Sequence, residues 1–197
     1  MKKESRILLV AMFVIGFNSF AQTRTETDLL GEIKVPADAY YGAQAARGME
    51  NFQISGQYNN DYPDYIKAWG MIKLACALAN TEVGEMPASK LKLIEPACQE
   101  LMSGKYLEQF TLDLYQGGAG TSTNMNANEV LANIALVKAG FKKGQYDKIS
   151  PNDDLNMSQS TNDTYPTSLK LTMIMHNEKL KQELVLLAKS FRTLGNK

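Results

Sequence analysis

Gln116 to Asn128 reads QGGAGTSTNMNAN and Asn156 to Thr167 reads NMSQSTNDTYPT; each gathers hydroxyl and carboxamide residues ahead of apolar helical sequence, with no Lys or Arg inside. Each reads as a loop feeding a helix N-terminus, where unpaired backbone N–H groups and a positive dipole end can hold an anion without a cation. In the first, Gly117, Gly118 and Gly120 let backbone approach a ligand, Thr121, Ser122 and Thr123 offer hydroxyls, and Asn124, Asn126 and Asn128 offer amides. A phosphate loop needs a Lys before its Ser/Thr, and GGAGTS has none. Helix capping by Thr123 or a neighbour is the structural alternative, but a cap needs one such residue and the segment supplies six. In the second, Ser158, Ser160, Thr161, Asn162 and Asp163 precede Tyr165 and Pro166, and the proline is expected to open the helix. Ser or Asp capping is again the alternative there, with Asp163 capping or orienting rather than meeting a carboxylate. The chemistry indicated is the binding of a small carboxylate.

Other chemistries lack carriers. The single histidine, His176, falls more than two turns into the last predicted helix and reads as a surface or interhelical residue. Triad hydrolysis and zinc chemistry would need further partners for it, and no metal site is expected. Cys76 and Cys98 sit on separate apolar helical segments and read as small core residues, although an oxidising compartment would permit a bridge between them. The 21 basic and 21 acidic residues cancel, leaving no electrostatic footprint for nucleic acid or an anionic membrane.

The elements that must position these loops are mostly helical. With 197 residues, 44% of them hydrophobic, the chain suits one medium domain or somewhat more. Lys2, Lys3 and Arg6 precede the apolar run Ile7 to Phe17, and Ser19, Phe20 and Ala21 supply a small-x-small cleavage pattern. Residues 1–21 therefore read as a secretory signal peptide, too short in its apolar run for the roughly 20 residues of a stable membrane anchor. Such a leader implies export to the periplasm. Thr23 to Gly56 is turn-rich, with a short extended piece at Glu32 to Val35. Beyond Pro63, Ile66, Trp69, Ile72 or Lys73, Cys76 and Ala77 recur at helical spacing up to Val83. A second helix starts near Pro87 and ends just before Gly104, and Pro96 inside it should kink or split it. Tyr106 to Tyr115 is too short to assign. The helix after the first loop carries Val130, Leu131, Ile134 and Val137 or Lys138 on one inner stripe and stops at Gly140, and Phe141 to Pro151 is a connector. The last helix, about thirty residues, carries Leu169, Met173, Leu180, Leu184, Leu187 and Phe191, and its far half has nothing in this chain to pack against. The predicted class is mainly α: an irregular N-terminal domain with a short β piece over 22–156, then the start of a long helical bundle over 157–197.

At these residues the chain closely resembles the aspartate ammonia-lyases of the aspartase/fumarase superfamily. TETDLLGEIKVPADAYYGAQAARGMENFQIS at Thr25 to Ser55 is similar to that family's lead-in, and QGGAGTSTNMNANEVLAN and PNDDLNMSQSTNDTYPT are similar to its first two active-site regions. The GAGTS wording leans towards aspartase, while PNDDLN is also at home in fumarases, so fumarate hydratase is the alternative within the superfamily and a non-catalytic fragment the alternative outside enzyme function. The resemblance implies reversible elimination of ammonia from L-aspartate to give fumarate, without an organic cofactor, in a homotetramer whose sites each gather residues from three subunits. It further implies substrate contacts from Thr121, Ser160, Thr161 and Asn162, with Gly120, Ser122, Asn124 and Asn126 in support. Most of the family is cytosolic, so the export signal is a departure. Ala45 replaces the family's usual Thr, and Ser150 replaces the His that many fumarases carry before PND, so their accessory anion site is not expected. The family's base serine lies in a GSSxMPxKxN loop that does not occur in these 197 residues. The chain thus resembles an N-terminal portion, and this polypeptide alone is expected to be inactive.

Overall fold

The structure, a computed structural model, describes residues 22–196. The expected signal peptide lies outside them. The described chain opens on an antiparallel hairpin, β1 (Thr23–Asp28) and β2 (Gly31–Pro36), paired from Thr23 opposite Pro36 to Asp28 opposite Gly31. Gly31 takes φ +109°, which a side chain would resist, and the Asp28 carboxylate accepts the Leu30 N–H at 2.9 Å to close the turn. Arg24 ties the hairpin to the segment that leads out of it, donating to Glu26 and to the carbonyls of Pro36, Ala39 and Tyr41.

The turn-rich reading of the lead-in missed a helix, α1 (Ala43–Asn51). It is held by groups distant in sequence: Arg47 pairs with both oxygens of Asp28 at 3.0 Å, and Glu129 accepts the N–H groups of Gly42, Gln44 and Ala45 at the helix start. A carboxylate there satisfies orphan donors that local sequence leaves open. Burial pushes the Glu129 carboxyl up to about 7, against the pull of those three amides.

α2 (Pro63–Glu82) and α3 (Ala88–Met102) lie where the apolar spacing predicts, and Pro63 takes the first helical position. Pro96 does not split α3, which runs through it unbroken; the burial of Ile94, Ala97, Cys98 and Leu101 outweighs one missing hydrogen bond. Between α3 and the next helix, Phe110 and Leu112 are fully buried, and their carbonyls accept the N–H groups of Asn60 and Asn59.

α4 (Thr121–Lys138) departs from the single-stripe expectation. Every residue from Thr123 to Leu136 is buried, polar ones included, whereas Val137 is 40% exposed. A helix enclosed on all sides is the central strut of a fold, and α1, α2, α3 and α5 all pack on it.

α5 (Thr161–Gly195) begins five residues before the predicted start, so Pro166 lies inside it. Ser160 explains the difference: its Oγ accepts the Asn162 N–H at 3.1 Å, and its carbonyl accepts from Asp163 and Thr164. One turn is therefore closed before the proline is reached. None of the described helices is long and apolar enough to cross a membrane.

Candidate functional site

The starts of α4 and α5 abut. Gly120, at φ +84°, lies so close to the Tyr165 ring that a β-carbon there would stand 2.0 Å from Cδ2. Only glycine lets the first loop close onto the second helix. The Thr123 N–H at the head of α4 is capped from outside the helix by Gln116 Oε1 at 2.9 Å, while the Thr121 and Ser122 N–H groups find no acceptor among the described residues. At α5 the Ser160 hydroxyl accepts the Asn162 N–H as the cap, which leaves its own proton free to donate.

Behind these two starts lies a polar network that ties them together. Asn124 Nδ2 donates to Thr161 Oγ1 and to Asn156 Oδ1, each at 3.0 Å, and Asn128 Nδ2 donates to Asn156 Oδ1 at 3.2 Å. At its centre is Lys73 of α2, only 1% exposed, whose Nζ donates to Asn124 Oδ1 and Gln159 Oε1 at 2.7 Å and to Asn156 Oδ1 at 3.5 Å. It also lies 5.5 Å from the centre of the Trp69 ring. The titratable groups facing it are the free thiols Cys76 on α2 and Cys98 on α3. Its partners from α4 and from the loop before α5 are uncharged carboxamides. Burial pushes Lys73 down to about 7, and it pushes the Cys98 thiol up to about 12.

The sequence-derived candidates therefore divide. Thr121, Ser160 and Asn162 are exposed and Thr161 is half-buried, all at the two abutting helix starts. Asn124 and Asn126 face inward, Asn126 donating to the Gln109 carbonyl at 3.1 Å. Ser122 turns away, lining a cavity of about 770 Å³ with Asp28, Arg47, Glu129, Tyr146 and Asn152. A smaller cleft of about 430 Å³ is bordered by Ser158, Gln159, Asp163 and Thr167 against α2. His176 stands on the surface, 3.4 Å from Asp64. No group of three His, Cys, Asp or Glu among the described residues could hold a metal ion.

Sequence reasoning missed Lys73, Gln116, Asn156 and Gln159 as members of the site. The signal for Lys73 was present: a lysine recurring on the apolar stripe of α2 is a buried charge that needs a reason.

Residues 31–197 match the family model described as Lyase. The chain is 49% identical over 175 residues to the aspartate ammonia-lyase of Pseudomonas aeruginosa, covering 89% of this chain and 37% of that protein. Among solved structures it resembles a fumarate lyase:delta crystallin from Brucella melitensis (TM-score 0.76, 49% identity, 78% of this chain and 34% of that one). It also resembles a class II fumarase from Schistosoma mansoni (TM-score 0.71, 34% identity, 78% of this chain and 32% of that one). The chain spans just over a third of the length of the curated Pseudomonas aeruginosa relative.

Proposed function

Because this chain belongs to the lyase family of the aspartase/fumarase superfamily, we propose that it is the N-terminal part of an aspartate ammonia-lyase, which removes ammonia from L-aspartate to give fumarate. The observation that carries the reading is the abutment of the two helix starts, where Asn124 bonds Thr161 and Gly120 lies against Tyr165. Thr121, Ser160, Thr161 and Asn162 are the proposed carboxylate contacts, with Gly120 and Asn124 in support; Ser122, which faces the other cavity, and Asn126, which holds the Gln109 carbonyl, are placed outside that support.

In the reaction a base removes a proton from the carbon next to the side-chain carboxylate, and negative charge builds on that carboxylate as an enediolate. The carbon–nitrogen bond then breaks and ammonia leaves, producing fumarate. Hydroxyl and N–H donors already pointing at the carboxylate stabilise the developing charge without reorienting, which lowers the barrier. Two helix N-termini add their dipoles to the same charge. The chemistry asks for no organic cofactor.

The base is proposed to come from a serine loop outside these residues, so the 197-residue polypeptide is expected to bind dicarboxylate without turning it over. The full-length enzyme is proposed to be a homotetramer joined through α5, and residues 1–21 to direct its export, which fractionation of the producing cells would test. The decisive assay compares ammonia release from L-aspartate with hydration of fumarate by the product of the full-length gene. Ammonia release is expected. Hydration without ammonia release would assign the chain to the fumarases instead.

A further inference from the structure

An ammonium has donors only, so whatever meets it must turn an acceptor towards it. Lys73 meets Asn124 Oδ1 at 2.7 Å, and this fixes which way round the Asn124 amide lies. The Thr164 hydroxyl lies 3.3 Å from the same oxygen but 3.2 Å from the Ser160 carbonyl, so its one proton is shared and the orientation rests on Lys73. Asn124 Nδ2 must then point the other way, where it donates to Thr161 Oγ1 at 3.0 Å. Thr161, having accepted on its inner side, has no acceptor for its own proton among the described residues. Were the amide reversed, its oxygen would consume that proton internally.

We propose that Lys73 is a positioning residue: through Asn124 it obliges the Thr161 hydroxyl to donate outward to an anion at the paired helix starts, and it places behind that anion the positive charge that the loops lack. The inference rests on the dicarboxylate reading above. Lys73's hydrogen-bond partners are three neutral amide oxygens and no carboxylate. A buried charge without a counter-ion is costly, and a bound carboxylate relieves that cost.

The test titrates succinate, a C4 dicarboxylate without a leaving group, into the wild-type chain and its K73M and N124D variants at about pH 6, where Lys73 holds its proton, with isotope-edited NMR spectra of each. In the wild type the Asn124 side-chain amide protons should show a nuclear Overhauser effect to the Thr161 methyl. K73M should lose that effect and weaken succinate binding by about tenfold or more, the scale of one charge-assisted hydrogen bond. N124D guards against a K73M chain that fails to fold, because its new carboxylate pairs with Lys73 and keeps the helices joined. It can no longer donate to Thr161, and it too should bind succinate at least about tenfold more weakly. Succinate affinity within about twofold of wild type in either folded variant overturns the role of Lys73 and leaves the dicarboxylate site standing. If only the full-length enzyme binds succinate, the same variants are compared in it; failure of the full-length enzyme to bind succinate overturns the site reading and the inference with it.

Discussion

At the scale of single residues, Gly120 and Lys73 decide how the two loops meet, and they differ in how legible they were. Gly120 stood out in the sequence as one of three glycines in a loop, but its reason, the Tyr165 ring packed on it, comes from 45 residues further along the chain. Replacing it with Ala meets both the ring and a left-handed backbone, so G120A should lower unfolding free energy by at least about 2 kcal/mol, seen as a shifted urea midpoint. Lys73 makes a prediction with a sign. Its folded value, about 7, lies below the ordinary 10.5, so between those two pH values the unfolded chain holds a proton that the folded chain has released. Stability should rise as pH climbs from about 7 to about 10, and the K73M chain should lose that slope in denaturant titrations. The lysine's type and place on an apolar stripe were visible in the sequence. Its partners were not, because they come from α4 and from the loop before α5, far away in sequence.

At the scale of elements, local sequence located α2, α3 and α4 well, since apolar spacing, Pro63 and terminal glycines act over a few residues. It misplaced the start of α5 because proline's preference for the first helical position was given more weight than the Ser160 cap. S160A should cost about 1 kcal/mol of stability and fray the turn before Pro166, measurable as faster amide exchange at Thr164 and Tyr165. S160G should cost less stability, so a loss of succinate affinity in both variants would separate a ligand contact from a cap. α1 escaped notice for a related reason. Its start is satisfied by the Glu129 carboxylate and its flank by Asp28, and neither lies within the helix's own sequence.

At the scale of the whole molecule, the described chain is a packed set of helices around α4 from which half of α5 projects. Thirty-five residues of α5 extend roughly 50 Å, and beyond its pairing with Asp64 through His176 and Lys179 the helix leaves Leu180, Leu184, Leu187 and Phe191 each more than half exposed. Exposed apolar surface on this scale favours association. The wild-type chain should sediment above monomer mass, and a variant carrying L180E and L187E should shift towards monomer with its helix content retained. Monomeric full-length enzyme at micromolar concentration would count against the proposed homotetramer.

The sequence by itself determined the mainly helical class, the family resemblance, the two donor-rich loops and the unpartnered last helix, because hydrophobic period, turn residues and loop composition are written within short windows. Only the tertiary structure decided that α4 is enclosed on every side, that a buried lysine lies behind loops that carry no cation, and that Asn124 faces inward and donates to Thr161. Those facts depend on which distant side chains share a small volume. A hydrogen bond's direction is fixed by the partner across that volume, and the local sequence leaves the partner unnamed.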